Sequence, residues 1–204
     1  MGVTRIGSTT HFVARSVLKH WGLRSDGDVT FIQTGGQAEF FAALKSGAVQ
    51  SAVLNTGPFT IRAQKENFLR LADVAAMGRP YVYGTVAARE SFIKNRPDVI
   101  GRFAKAFVEG IHRFKTDKSL ALATIEKYTK SKTTAESEQV YEIYAQRYTK
   151  RAPEVTAEGM QTILEEIGDS RPLPAGTAPQ RFIDSRAFKD LNGSGFVDAL
   201  YRGR

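Results

Sequence analysis

Short apolar runs alternate with polar, glycine-bearing turns and amphipathic stretches over the first part of the chain. Residues 3–6 read as a strand and residues 10–21 as a helix, with Val13, Val17 and Trp21 four apart on one face. Gly22 followed by Leu23 reads as a helix stop with glycine in the left-handed conformation. Residues 24–28, rich in Asp and Gly, read as a turn. The order then repeats. Residues 29–33 are a strand, Thr34-Gly35-Gly36 breaks it, and residues 37–45 form a helix with Phe40, Phe41 and Leu44 inward. Residues 50–54 are a third strand, Asn55-Thr56-Gly57-Pro58 turns the chain, and residues 59–65 are helical. Residues 68–74 and 81–88 are two further strand candidates. Strand, turn and helix repeated three times predict a parallel sheet with crossover helices. Strands this short predict a sheet covered on both faces.

The pattern changes near Arg89, and nearly everything after it reads helical. Residues 97–116 are the clearest helix, with Ile100, Phe103, Phe107, Ile111 and Phe114 at spacings of three or four and Pro97 in the first turn. Residues 120–129 (Leu122, Ile125, Tyr128), 134–148 (Val140, Tyr141, Tyr144, Tyr148) and 156–167 (Met160, Ile163, Leu164, Ile167) follow. Thr156 is an expected N-cap without a full capping box, since Gly159 stands three positions on. Residues 171–179 hold three prolines and a glycine and must be loop. Phe182, Phe188, Leu191, Phe196, Val197 and Leu200 are assigned to short terminal helices. The division is therefore an α/β lobe, residues 1–88, and a helical segment, residues 89–204. The helical part carries many large apolar residues and no strand of its own to cover.

Composition changes this picture little. Of 204 residues 42% are hydrophobic and 25% charged, as in a globular protein. No apolar run approaches the roughly 18 residues that span a bilayer. There is no cysteine, which excludes disulfides, thiolate metal sites and cysteine nucleophiles. The net charge of +8 is spread over single Lys and Arg residues, Lys150-Arg151 being the one adjacent pair. That distribution points to a solvated basic surface and not to nucleic acid.

The chemistry-bearing stretches are the three turns. In IGSTTHF, Ser8, Thr9 and Thr10 follow Gly7 at a helix start, where backbone N–H groups lack partners and the helix dipole is positive. Such a place suits a carboxylate, sulfonate or phosphate; the alternative is plain N-capping by Ser8 or Thr9. QTGGQAEF has the same form, with Gly36 and Gln37 at the helix start. It matches neither a phosphate-binding P-loop nor the dinucleotide fingerprint. LNTGPF supplies Asn55 and Thr56. In a parallel sheet all three turns lie at the carboxyl ends of strands, the edge where ligands bind in open α/β sheets. Tyr81 and Tyr83 alternate onto one face, as strand packing or as the lining of a cleft. Ser8, Thr9, Thr10, Gly36, Gln37, Asn55, Thr56 and Tyr83 are thus the candidate ligand-binding residues. His11, His20 and His112 form no metal pair, Glu165-Glu166 reads as a solvated face, and no GxSxG, HExxH or paired-acid arrangement is present. No catalytic residue, metal or cofactor is expected.

GSTTHFVARSVLKHWGL, DVTFIQTGG, LKSGAVQSAVL, SFIKNRPDVIGRFAKAFVEGI and the terminal SGFVDALY together resemble the solute-binding proteins of bacterial uptake ABC transporters, in the sulfonate, nitrate, taurine and thiamine-precursor group. The resemblance implies a type II periplasmic-binding-protein fold, in which two α/β lobes close on a solute without catalysis. Residues 1–88 resemble the second lobe and the later helices the return into the first. It implies a small anionic or heteroaromatic solute gripped by the helix start at Ser8, Thr9 and Thr10, a membrane permease as partner, and a periplasmic location. The resemblance implies a signal peptide and a first-lobe sheet ahead of residue 1, and the exposed helices of a lobe truncated in this way are expected to pair, as in a homodimer. Two other classes stand beside this one. The effector domain of a transcription regulator shares the fold class. A thiamine-pyrimidine enzyme of the same family relies on a cysteine-rich motif that this chain lacks.

Overall fold

The computed structural model describes residues 1–129 and 134–202. Its elements are β1 (Gly2–Val3), α1 (Thr9–His20), β2 (Ile32–Gln33), α2 (Gln37–Lys45), α3 (Pro58–Lys65), α4 (Glu90–Asn95), α5 (Pro97–Thr116), α6 (Lys118–Thr129), α7 (Ala135–Ile143), α8 (Ala157–Ser170), α9 (Arg186–Gly193) and α10 (Phe196–Arg202). A π-helical turn, Tyr144–Tyr148, extends α7, and a 3-10 turn covers Pro179–Phe182. The fold is mixed α/β with helix predominant and one two-stranded parallel sheet. Contacts group the chain into two compact units, Met1–Arg79 and Pro80–Arg204.

In the first unit β1 lies in the middle. Gly2 and Val3 pair in parallel with Ile32 and Gln33 on one side, and Gly2 forms a single parallel bridge with Ala52 on the other. The third expected strand is thus reduced to one bridge, anchored by the Gly2 N–H donating to the Ser51 carbonyl at 2.7 Å. The pairing is parallel, as the alternation of elements predicts, but the strands are shorter. The chain after Val3 turns at once to join a hydroxyl cluster, so residues 4–6 never extend the ladder. Val3 and Phe40 are fully buried, with Val49, Ala14, Val17 and Leu18 around them. Ile32 and Gln33 are exposed, so the sheet is covered at β1 and open at β2, against the expectation of two covered faces.

The α1 face also differs in phase from its expectation. Thr10, Ala14, Val17 and Leu18 are buried, while Trp21 is 43% exposed. Trp21 is the C-cap, beyond the last turn that packs on the sheet. Gly22 is left-handed as expected (φ 72°), and the Leu23 N–H returns to the Leu18 carbonyl at 2.9 Å. Phe41, half-buried, meets the rings of Phe59 and Phe68. Residues 68–74 and 81–88 are not strands; Leu69 and Leu71 are 86% and 63% exposed. An apolar run without a neighbouring strand to bond has no ladder to join, and β-propensity alone does not make one.

The second unit is helical. α5 runs over Pro97–Thr116, the range its periodicity predicts. Its buried positions, however, are Ala104, Val108 and Ile111, whereas Phe103 and Phe107 stand at the rim, stacked on each other at 5.8 Å, with Phe188 of α9 edge-on to Phe107. α6 turns Ala121 inward, with Leu122 packed beside it, and leaves Tyr128 exposed. Tyr141 is buried on α7, edge-on to Phe114, and its hydroxyl donates to the Phe114 carbonyl at 2.9 Å. The predicted helix 134–148 is α7 continued by the π turn, where the Lys115 ammonium donates to the carbonyls of Ala145 and Thr149. α4 was not anticipated; its six residues lie between Arg89 and Pro97. Thr156 caps α8 by accepting from the Gly159 N–H at 3.1 Å. Gly159 is also a point of close approach. A Cβ there would lie 2.9 Å from Val82 and 3.3 Å from the Tyr81 backbone. Glu165 is exposed as expected, but Glu166 is buried, on the α8 face that also carries Gly159 and Thr162. The stretch 171–179 is loop, ending in the 3-10 turn. Residues 130–133 and 203–204 of the expected helical segment 89–204 lie outside the described residues.

Candidate functional site

The parallel pairing puts three turns on one edge of the first unit. The turn after β1 leads to α1, the turn after β2 leads to α2, and the turn after Ala52 leads to α3. Because β1 pairs with β2 on one side and with the Ala52 segment on the other, the chain leaves β1 one way and returns on its opposite side. That arrangement opens a crevice at the strand ends in open α/β sheets. No side chain caps α1, α2 or α3. At each of these helix starts the N-cap residue's own side chain leaves the first-turn N–H groups unengaged.

The hydroxyls at the start of α1 are joined to each other. Thr4 Oγ1 donates to Ser8 Oγ at 2.7 Å and lies 2.8 Å from Thr10 Oγ1, and Ser8 Oγ and Thr10 Oγ1 are 3.0 Å apart. The Thr4 N–H donates to Thr10 Oγ1 at 2.9 Å. Thr10 is buried at the bottom of this triangle, while Thr4 and Ser8 are half-buried above it. Ser8 occupies the N-cap position but spends its hydroxyl on the triangle and not on its own helix. The capping reading of Ser8 is thereby set aside for its side chain. Each hydroxyl in such a ring both donates and accepts, and each rotates freely about its C–O bond. The ring can turn protons outward to an oxyanion that displaces one of its bonds.

Gly7 (φ 80°) makes the turn between β1 and α1. Its N–H donates to His11 Nδ1 at 3.1 Å. An imidazole that accepts at Nδ1 is neutral and carries its proton on Nε2. Burial and, second, the charge of Arg15 hold the His11 pKa below its ordinary value, in keeping with that state. The ring stands edge-on to Phe31, centroids 4.7 Å apart. Arg5, exposed, brings positive charge to the same turn.

The other expected residues have distinct places. Thr9 is half-buried in the first turn of α1. Gly36 is the N-cap of α2. Gln37 is a clip: its Oε1 accepts from the Asn55 N–H at 2.8 Å and its Nε2 donates to the Val53 carbonyl at 3.4 Å. Its amide thus holds the end of the third segment in a strand-like register that the backbone itself does not complete. Asn55 is joined further through its carbonyl, which accepts from the Thr60 hydroxyl. Thr56 precedes the N-cap Gly57 of α3. Seven of the eight candidate residues are therefore gathered in the first unit. Tyr83 is in the second unit, 65% exposed and within electrostatic reach of Tyr144, whose phenol is held above its ordinary pKa by burial first and then by Tyr83 and Tyr148.

Thr4, Arg5, His11 and Thr34 belong to the edge and were not anticipated. Thr34 extends the ladder, its N–H donating to the Val3 carbonyl at 3.0 Å, and its buried Oγ1 has no hydrogen-bond partner. A buried hydroxyl without a protein partner is uncommon in native structures. The signal for Thr4 was in the sequence: Thr4 and Ser8 stand four apart across a glycine turn, with Thr10 behind them. No group of three or more His, Cys, Asp or Glu suited to a metal ion exists among the described residues, and none of their helices is long and apolar enough to cross a membrane. Compared with family models, with curated proteins and with solved structures, the chain matches none of them.

Proposed function

We propose that this chain is the substrate-binding component of an ABC-type uptake transporter, taking a small anionic solute without catalysis. The observation that carries this reading is the Thr4–Ser8–Thr10 hydroxyl triangle beneath the uncapped start of α1, at the carboxyl end of the central parallel strand. Hydroxyls, free amides and the positive helix end are complementary to a tetrahedral or planar oxyanion, and Arg5 adds charge. The buried, unpartnered Thr34 hydroxyl is a further donor on that edge. In this reading the unit 1–79 is the α/β lobe of a type II periplasmic-binding-protein fold and the solute is a sulfonate, nitrate or carboxylate. The receptor then works in the periplasm and hands its solute to a membrane permease. Thr10 is the residue whose loss matters most, since it is the buried corner that both other hydroxyls and the Thr4 amide share.

Thermal unfolding against alkanesulfonates, nitrate, small carboxylates and aminopyrimidines tests it. A ligand that binds only the folded chain adds about 2.7 kcal/mol at 100 times its dissociation constant. One anion class is expected to raise the melting temperature, and Thr10→Ala to abolish the rise. A response to aminopyrimidines alone, or a sulfonate response unaltered by Thr10→Ala, refutes the hydroxyl edge as the site.

A further inference from the structure

Phe103, Ala106 and Gly110 follow one another at spacings of three and four, so they form one line along α5. All three are exposed, Phe103 to 42%. The buried positions Ala104, Val108 and Ile111 occupy the other side of the helix. Phe107, stacked on Phe103 at 5.8 Å, and Phe188 of α9, edge-on to Phe107, widen the line into a patch. α9 itself buries no residue fully; Ala187, Phe188 and Leu191 are half-buried. The chain thus leaves the apolar surface of these two helices incomplete, as at an interaction surface.

The line is uneven in a particular way. Phe103 projects a ring. Gly110, one heptad later, projects nothing, and a Cβ built on it would meet no atom within 4 Å. Glycine weakens a helix interior, yet no neighbour within the chain requires the missing side chain. The charges beside the line run Asp98, Arg102, Glu109 and Arg113, alternately negative and positive. Asp98 and Arg113 share a midpoint with Arg102 and Glu109, between Lys105 and Ala106. Reversing the helix end for end about that point therefore puts each acid opposite a base. Lys105, at the midpoint, is turned aside over the Phe196 ring at 5.0 Å. Asp98 pairs with Arg96 at 3.3 Å and with Arg102 at 3.1 Å on the exposed surface, where such pairs are weak and exchange readily. Among the described residues no ion pair engages Glu109 or Arg113. A face that complements its own reversal, in shape and in charge, identifies its partner as a second copy of itself.

We propose that this face of α5 binds a second copy of the chain, α5 running antiparallel to α5 about a two-fold axis. Each Phe103 ring enters the gap between Ala106 and Gly110 of the partner subunit, as a knob enters a hole. Each Arg102 meets Glu109 of the partner subunit, and each Arg113 meets Asp98 of the partner subunit. Because the pair is isologous, every contact occurs twice. The twenty residues of α5 span roughly 30 Å. One such face covers less than the roughly 800 Å² per partner of a standard interface, so the dimer is weak and depends on concentration. The face lies in the second unit and owes nothing to the hydroxyl edge of the first, so the two readings fail on different residues.

Sedimentation equilibrium of the whole chain, of mass 22.5 kDa, tests the proposal. A reversible equilibrium between monomer and dimer is expected between micromolar and millimolar concentration. Arg102→Glu and Glu109→Arg, each alone, set like charges against each other at both ends and are expected to weaken the dimer about tenfold or more. The double variant restores opposite charges and is expected to recover it. Mixing the two single variants is expected to give a heterodimer, since one then carries two acids and the other two bases at these positions. Gly110→Leu fills the gap and is expected to abolish association while leaving the far-UV dichroism of the monomer unchanged. A chain that stays monomeric at millimolar concentration overturns the proposal and leaves the face to a partner of another kind. So does a dimer indifferent to Gly110→Leu and to the single charge reversals. So does a double variant or a mixture that associates no better than the single variants, which places the charges outside the interface.

Discussion

The two units solve the problem of backbone hydrogen bonding differently, and the difference governs how each can be read and disturbed. The second unit is built from helices that satisfy their own backbones. α5 has twenty residues, and α7 and α8 carry threonine caps, so their ends follow from local chemistry. The first unit rests on a sheet of two-residue strands and one bridge. There the order comes from side chains acting in place of a ladder: the Gln37 clip, the Thr4–Ser8–Thr10 triangle and the fully buried Phe40. A unit held in this way concentrates its stability in few residues, and those residues adjoin the candidate site.

The strongest test of that contrast is Phe40→Ala. Phe40 is fully buried against β1, with its ring edge 3.6 Å from where a Gly2 Cβ would stand. Removing a buried phenylalanine costs about 3–5 kcal/mol. Trp21, the sole tryptophan, reports on the first unit by fluorescence, while far-UV circular dichroism is weighted to the helices of the second. The substitution is expected to lower the fluorescence midpoint in urea well below the dichroism midpoint. Coincident shifts of equal size would show one cooperative structure and dissolve the comparison.

Gly159→Ala is the corresponding test in the second unit. The added methyl meets Val82 at 2.9 Å and the Tyr81 backbone at 3.3 Å, so α8 or the 81–82 segment must move. Overpacking of this kind costs about 1–3 kcal/mol. The expected loss is seen by dichroism and leaves the Trp21 midpoint unchanged. An unaltered midpoint by both probes would mean that the segment before Tyr83 yields freely.

The caps sharpen the contrast further. Thr134 and Ser137 form a reciprocal capping box at the start of α7. Thr134→Ala is expected to cost about 1 kcal/mol, the ordinary value for a lost cap. Ser8 stands at the same position of α1 and caps nothing. Ser8→Ala removes one corner of the triangle and is expected to cost a similar amount in urea unfolding, and to act on anion binding as well. A larger loss from Ser8 than from Thr134 would show that the triangle is chiefly structural.

These tests also bear on what was legible beforehand. Helix ranges follow from periodicity, because an amphipathic face is a local property; 97–116 in the second unit and 37–45 in the first are found as read. Which apolar residues are buried is less legible. On α5 the small Ala104 and Val108 lie innermost and Phe103 and Phe107 at the rim, since close packing favours small side chains where helices approach. Strands at 68–74 and 81–88 failed because a strand is a relation between segments, and no partner segment is encoded nearby. The parallel edge was legible from the order of elements, and so was the hydroxyl-rich start of α1. The Gln37 clip was not, because it joins residues 37, 53 and 55 through a side chain whose direction no pattern discloses. His112 and Tyr201 were likewise hidden, being 89 positions apart in sequence and adjacent only when α10 folds back on α5.

The smallest effect expected is a dependence on pH carried by His11. Its pKa is lowered in the folded chain, by burial and then by Arg15. The unfolded chain therefore takes up this proton first as the pH falls. Stability is unaffected where both forms are neutral and declines from the ordinary value of 6.5 downward, through the lowered folded pKa. Protonation also removes the Nδ1 lone pair that accepts from the Gly7 N–H, so the turn between β1 and α1 loses its tie in the same range. Asp28 and Asp98 are held below the ordinary carboxylate range by their arginine partners and titrate further down. Urea midpoints read by Trp21 fluorescence at pH 7.5 and at pH 5.5 are expected to differ in the parent chain and to converge in His11→Asn, whose amide oxygen keeps an acceptor for Gly7 but takes up no proton. A parent chain indifferent to pH over this interval would remove His11 from the account of the edge. An equal decline in His11→Asn would assign the proton to another group and leave that turn to the hydroxyl triangle and to Gln33 Oε1, which accepts from the Ile6 N–H at 2.9 Å.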